Sequence, residues 1–174
     1  MTPTPDREQQ RFLQLLDEHK KILYKVAGSY CRNAADREDL IQEMAVQLWR
    51  SFGRYDERFR FSTWMYRVAL NVAISFHRSE ARRPRETVPA GEALLEVADP
   101  ASIAGVAADS DPELEQLHEL LRRLDELDRA LILLYLDGHR YDAIADILGL
   151  TETNVGTKIN RIKQRLRRDA SRVA

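Results

Sequence analysis

The chain has little of what marks a stapled, membrane-bound or catalytic protein. A single cysteine, Cys31, excludes an intramolecular disulfide framework and any cysteine-based zinc site, and it points to a reducing cytoplasm. No apolar run approaches the length that spans a bilayer, and residues Met1 to Glu8 lack the basic-then-apolar layout of a secretory signal. The sequence therefore reads as soluble and cytoplasmic, with no integral membrane segment. His19, His77, His118 and His139 are dispersed, without metal-ligand spacing, and there is no phosphate-cradling glycine loop or nucleophile constellation. They read as surface or helix-end histidines, and the chain as no enzyme, with no cofactor and no metal. No segment keeps the two-residue alternation of a half-buried strand, so the expected fold class is all-α.

An excess of charge of one sign is also missing, since the net charge is −1. A strongly basic domain is the usual footprint of an independent DNA binder, so the distribution carries more than the sum. From Thr87 to Asp137 twelve acidic residues face only Arg122, Arg123 and Arg129, whereas Gly138 to Ala174 holds eight Lys or Arg against Asp142, Asp146, Glu152 and Asp169. An acidic middle masks a basic tail. That asymmetry suits a protein that touches nucleic acid with part of itself, after a larger partner has supplied most of the attraction.

Proline and glycine are few, yet Pro84, Pro89, Gly91, Pro100 and Gly105 fall together between Arg82 and Asp111. The pattern predicts two small helical domains, 1–81 and 112–174, joined by a flexible acidic linker, 82–111. In the first, Arg7 to Tyr30 reads as one helix with a stripe of Phe12, Leu15, Leu16, Leu23, Val26 and Ala27. A second helix starts near Asn33 or Asp36, where short polar side chains cap free amides. Its core stripe of Leu40, Met44 and Leu48 leaves Asp39, Gln42, Glu43 and Gln47 on the other face, which is either a solvated acidic face or a partner-binding surface.

What the chain does have is a crowd of aromatic and guanidinium groups. Tyr55, Phe59, Phe61, Trp64 and Tyr66 interleave with Arg54, Arg58, Arg60 and Arg67, the chemistry that stacks unpaired bases and neutralises phosphates. Ser62 or Thr63 is the expected cap of the helix that follows, with Met65, Val68, Ala69, Val72, Ala73 and Phe76 on its apolar face. Arg67, Asn71, Ser75 and Arg78 share a different, polar face. Asn offers a donor and an acceptor to a base edge, and Arg holds a phosphate. The competing reading makes Trp64 and Tyr66 simple core aromatics.

The second domain opens at Asp111-Pro112, a cap followed by a first-turn proline, with Leu114, Leu117, Leu121 and Leu124 on the buried side. A helix from about Leu127 to Leu136 stops at Gly138. Tyr141 to Leu148 then forms a short helix, Gly149-Leu150-Thr151 a turn, and Glu152 onward a longer helix, the layout of a helix-turn-helix. Val155, Ile159, Ile162 and Leu166 bury one side. Thr153, Asn154, Thr157, Lys158, Asn160 and Arg161 occupy the exposed first turns, the part that enters a major groove.

Both halves in this order closely resemble the extracytoplasmic-function class of bacterial sigma factors, of the sigma-70 family. The resemblance rests on Asp36 to Glu43, Trp49, Phe61 to Asn71, Leu127-Asp128-Arg129, Tyr135, Gly138, Tyr141 to Leu150 and Val155 onward. It implies that Asp39, Gln42 and Glu43 dock on the clamp of bacterial core RNA polymerase. It implies that Trp64, Tyr66, Asn71 and Ser75 capture an extruded non-template base of the minus-ten promoter element, with Arg60, Arg67 and Arg78 on phosphates. The helix-turn-helix would read minus-thirty-five duplex, with Thr157, Asn160 and Arg161 foremost, Lys158 on phosphate, and Thr153 and Asn154 nearby. Promoter DNA and core polymerase are the implied partners, and an anti-sigma factor a further one.

Three positions depart from the family pattern. Gly156 stands where a basic residue is common, which removes a contact and weakens the helix by roughly 1 kcal/mol relative to alanine. Asp125 stands where proline is frequent, and Leu70 where a polar residue is. A helix-turn-helix regulator with a helical sensor domain explains the second half but leaves the aromatic-arginine run without a reason. A helical protein-binding adaptor leaves the recognition helix without one.

Overall fold

A computed structural model describes residues 6–80 and 111–173 of the chain. The acidic linker expected at 82–111 lies outside the described residues apart from Asp111. Among the described residues the regular structure is helical, without strands. The helices are α1 (Arg7–His19), α2 (Lys21–Tyr30), α3 (Ala34–Ser51), α4 (Phe61–Glu80), α5 (Pro112–Arg122), α6 (Glu126–Leu136), α7 (Tyr141–Leu148) and α8 (Glu152–Val173), with a short 3-10 turn at Phe52–Arg54.

The single helix expected over Arg7 to Tyr30 is instead two, parted at Lys20, where the Leu23 amide donates to the Lys20 carbonyl three residues back. The environments on the two sides differ. α1 buries only Phe12 and Leu16, whereas α2 is buried from Val26 to Tyr30 without interruption and also at Ile22 and Leu23. α2 is thus a central helix and α1 a covering one, and the bend lets each meet its own neighbours.

Caps explain most other boundaries. The Asn33 side chain accepts from the Asp36 amide at the head of α3, and Asp111 does the same for Glu113 at the head of α5. Asp125 accepts from the Asp128 amide, so the residue standing in place of a frequent proline serves as the cap of α6. Neither Ser62 nor Thr63 caps α4. The Thr63 and Trp64 amides both donate to the Arg60 carbonyl, which puts Ser62 and Thr63 inside the first turn. Gly138 and Gly149 adopt positive φ of 84° and 69° and end α6 and α7, a backbone that residues with a Cβ rarely adopt.

The first domain packs α2, α3 and α4 around Val26, Leu40, Met44, Leu48, Met65, Ala69, Leu70 and Ala73. Leu70 is fully buried, which accounts for an apolar residue there. Trp49, Phe52, Tyr55, Phe61 and Trp64 form an aromatic cluster at one end, with Phe52 in contact with all the others. In the second domain α6 is central, lying against α8, α7 and α5, with Leu131, Leu134, Ile144, Val155 and Ile159 sealed from solvent. Leu114, expected on the buried side of α5, is 45% exposed, because the stripe of α5 turns through His118 and Leu121 instead.

The two domains pack against each other through α2 with α5 and α6, and α4 with α6 and α7. His118 was expected at the surface; it is buried, its ring lying over Gly28 so closely that a Cβ there would stand 2.6 Å from Cε1. Arg122 donates to the Gly28 carbonyl at 2.8 Å, and Tyr30 donates through its hydroxyl to the Glu126 carbonyl at 2.6 Å. Arg129 places its guanidinium 4.8 Å from the centre of the Tyr30 ring. At the rim Arg37 pairs with Glu115 and Arg32 with Glu119.

Candidate nucleic-acid interface

Three surfaces carry the residues singled out in the sequence. On α3, Asp39 is exposed while Gln42 and Glu43 are half-buried, and Glu43 accepts from the Gln47 amide nitrogen at 2.9 Å. Leu40, Ile41 and Met44 anchor this face from behind, so two carboxylates and two amides share one side of a well-packed helix. Such a face offers acceptors to a cationic partner.

On α4, the helical spacing of Arg67, Asn71, Ser75 and Arg78 puts all four on the surface, opposite Met65, Ala69 and Ala73. Arg60 is exposed at the head of the helix. Trp64 is half-buried against Tyr55 at 5.1 Å and Phe61 at 5.3 Å, so only part of its ring is presented. Tyr66 is 1% exposed and projects into the junction with the second domain. Its hydroxyl donates to Asp137 Oδ2 at 2.6 Å, and His139 stands edge-on to its ring at 5.1 Å. Burial, then the Asp137 hydrogen bond, drive the Tyr66 hydroxyl well above the ordinary tyrosine range. Arg67 donates to the Asp146 carbonyl at 2.6 Å, and Arg78 lies 3.9 Å from Glu126.

The loop before α4 contains one ring of the aromatic-arginine run that was not among the DNA-contact candidates. Phe59 is 62% exposed between Arg58 and Arg60, an aromatic face left open to solvent in a basic setting. Tyr55 donates its hydroxyl to the Phe59 carbonyl at 2.7 Å and holds that loop down. The interleaving of aromatic and arginine was visible in the sequence; which ring stays outside depends on how the Phe52 cluster fills. Lys25 and Asp137 were likewise passed over, because their pairing spans a large separation in sequence.

On α8, Thr153, Asn154, Thr157, Asn160 and Arg161 are exposed, and Lys158 is half-buried. Thr151 caps the helix by accepting from the Asn154 amide, and Thr157 donates back to the Thr153 carbonyl. Val155, Ile159 and Ile162 hold the opposite side in the core, so the six residues project from a fixed platform. Gly156 is half-buried, and a Cβ there would meet the Tyr141 ring at 3.3 Å. A methyl group there would press the Tyr141 ring by a few tenths of an ångström, so α7 and α8 approach closely at this glycine. Among the described residues no group of three or more His, Cys, Asp and Glu is placed to hold a metal ion.

Residues 15–83 match the family described as Sigma-70 region 2, and residues 114–166 match Sigma-70, region 4. The chain is 30% identical over 152 residues to an ECF RNA polymerase sigma-E factor of Haemophilus influenzae, covering 80% of this chain and 78% of that protein. It is 30% identical over 164 residues to the RNA polymerase sigma factor CarQ of Myxococcus xanthus, covering 93% and 90%. It spans 40% of a longer relative, the probable RNA polymerase sigma factor RfaY of Xanthomonas campestris, at 25% identity. In fold it is similar to CnrH in complex with the cytosolic domain of CnrY, with a TM-score of 0.68 and 22% identity over 95% of this chain and 91% of that one. It is also similar to the sigma factor RpoE in complex with the anti-sigma factor NepR from Bartonella quintana, with a TM-score of 0.67 and 20% identity over 91% and 96%.

Proposed function

The chain belongs to the extracytoplasmic-function class of the sigma-70 family, and from that premise we propose how its surfaces divide the work of promoter-specific transcription initiation. Residues 1–81 form the region 2-like domain, 82–111 the linker, and 112–174 the region 4-like domain. Asp39, Gln42 and Glu43 dock on core RNA polymerase. The region 4-like domain sets α8 in the major groove of the minus-thirty-five duplex, with Thr157, Asn160 and Arg161 towards base edges and Thr153, Asn154 and Lys158 towards the backbone. α4 and the loop before it take the melted minus-ten strand. Arg60, Arg67 and Arg78 meet phosphates, while Trp64, Asn71 and Ser75 line the place of an unpaired base; Tyr66, expected among them, is sealed at the domain junction and is not open to a base in this arrangement. Phe59 adds an exposed stacking face to that set.

The observation that carries this reading is the exposed polar stripe of Arg67, Asn71, Ser75 and Arg78 beside the aromatic-arginine loop. An intact duplex hides base faces and Watson–Crick edges, so a stripe of this kind next to an open aromatic ring suits single-stranded DNA. The protein itself makes or breaks no bond; polymerase supplies the chemistry, in the cytoplasm. An anti-sigma factor as a further partner is supported by the complex in which the similar RpoE was solved.

Reconstitution with bacterial core RNA polymerase on a genomic promoter library tests the reading. Specific transcript starts are expected. A folded protein that neither binds core enzyme nor directs initiation overturns it, and specific duplex binding without core favours a regulator. Asn71→Ala is expected to impair open-complex formation more than core binding, and equal loss of both counts against base capture.

A further inference from the structure

α8 is longer than its place in the fold requires. Ile162 is its last buried residue, and among the described residues only Leu166 packs on the core beyond it, yet the helix runs on to Val173. From Arg161 onward this stretch carries Arg161, Lys163, Arg165, Arg167, Arg168 and Arg172 against Asp169 alone. Lys, Gln, Arg and Ala keep the extension wound, and Arg172 in the last turn complements the helix dipole. The dipole effect fades within a turn of the end, so it accounts for Arg172 and leaves Arg165 and Arg168 without a reason. Lys163 has one. Its ammonium lies 4.1 Å from the centre of the Tyr135 ring and donates to the Tyr135 hydroxyl at 2.5 Å.

Arg165 and Arg168 are exposed. Among the described residues of this domain, the arginines paired with a carboxylate within 4 Å are Arg122 and Arg140. Asp169, four residues from Arg165, does not join them. Arg165 makes a long contact of 3.4 Å to the Arg123 carbonyl, and Asp128 of α6 offsets part of the charge of Lys158 and Arg165.

The direction of the two side chains decides what they can meet. At about 3.6 residues per turn, Arg165 and Arg168 fall on the same line of the helix as Asn154, Thr157, Lys158 and Arg161, whereas Arg167 falls well to the side. Rising about 1.5 Å per residue, the helix carries Arg165 about 12 Å and Arg168 about 16 Å beyond Thr157, while the major groove is only about 12 Å wide. Past the base edges, this face therefore meets the phosphate rim. A guanidinium fork takes two phosphate oxygens at once. A line of one charge that continues the DNA-facing line without a break favours phosphate over an acidic protein surface.

We propose that Arg165 and Arg168 grip phosphates of the duplex flanking the minus-thirty-five element, a sequence-independent extension of the site on α8. This rests on the reading of α8 as the helix that enters the groove. The first turns select the sequence, and the extension adds affinity that is the same for every sequence.

The full chain and a fluorescein-labelled duplex of mixed sequence, extending past α8 on both sides, test this through the slope of log affinity against log salt. Arg165→Gln together with Arg168→Gln is expected to lower that slope by about 1.8, two phosphate contacts at about 0.9 each. The corresponding pair of Lys substitutions keeps the slope, because the charges stay. Arg167→Gln, the same loss of charge on another line of the helix, leaves the slope near its original value; an equal fall per charge would reveal a diffuse effect and overturn the located site. An unchanged slope in the Gln pair also overturns the proposal, and if binding to core polymerase falls instead, the face belongs to a protein partner. Lys158→Gln with Arg161→Gln separates the extension from its premise. Should that pair lower the slope while the Arg165 and Arg168 pair does not, the extension alone falls; should neither lower it, the reading of α8 as the DNA helix falls too.

Discussion

At the scale of single residues, the closed molecule is organised by buried polar groups that each satisfy several partners. Arg129 is 2% exposed without a carboxylate against it; its guanidinium instead donates to the carbonyls of Leu121 at 3.0 Å, Arg122 at 3.0 Å and Leu124 at 2.9 Å. These are carbonyls at and just beyond the end of α5, of which that of Leu121 also accepts from the Leu124 amide, so the arginine completes that terminus and presents its outer face to Tyr30. Its planar fork reaches several oxygens at once, and an ammonium does not. Arg129→Met is therefore expected to cost about 2–4 kcal/mol, read by urea unfolding, since it strands buried carbonyls. Arg129→Lys is expected to recover less than half of that loss. The family-like Leu127-Asp128-Arg129 segment was legible in the sequence, but the role of Arg129 was not, because its partners are backbone atoms that no side-chain pattern encodes. Cys31 sits nearby as an inert group, its thiol pushed up to about 12 chiefly by burial.

At the scale of elements, legibility followed how local the cause was. The caps at Asn33 and Asp111, the stop at Gly138 and the turn at Gly149 to Thr151 depend on a few consecutive residues, and they lie where the sequence put them. The misread elements have distant causes. The bend at Lys20 exists because α2 is enclosed by four other helices, and the outward turn of Leu114 follows from His118 being drawn onto Gly28. The close approach of the Tyr141 ring to Gly156 is likewise a contact between helices that no local pattern shows. A local cause also makes a local prediction. Thr151→Ala removes the oxygen that accepts from the Asn154 amide and is expected to cost about 1 kcal/mol. Because the cap serves the first turn of α8, amide exchange should quicken there, around Thr153 to Val155, before it does in α3 or α4. An equal rise across the first domain would show that the cap acts on the whole fold.

At the scale of the whole molecule, the contact between domains is the feature least accessible to sequence, since its partners are far apart in the chain and belong to stripes that each look complete alone. Its rim is ionic, but its inner part contains two histidines whose pKa values burial lowers. Burial lowers the His118 pKa below the ordinary value of 6.5, with Glu115 opposing and Arg122 and Arg37 adding to the effect. Burial likewise lowers that of His139, against the pull of Asp137 and with a further push from Lys25. Domain separation exposes both rings, so the open state binds more protons than the closed state near the ordinary histidine value. Closure is therefore fully favoured above about 6.5, weakens as pH falls through that value, and stops weakening once both states are protonated. Asp137 contributes in a separate window. Burial alone raises its carboxyl, but the hydrogen bonds from Lys25 and Tyr66 outweigh that and leave it below 3.8. Its share of the closure persists above 3.8 and is lost only on further acidification. Fluorescence transfer between dyes on the exposed ends of α1 and α8 should thus change in the histidine window while helix content holds. His118→Gln should flatten much of that change, and Gly28→Ala, by forcing the His118 ring off α2, should shift the molecule towards the open form at every pH. A transfer signal that stays level through the histidine window, with His118 intact, would mean that the domains remain closed when these rings are charged.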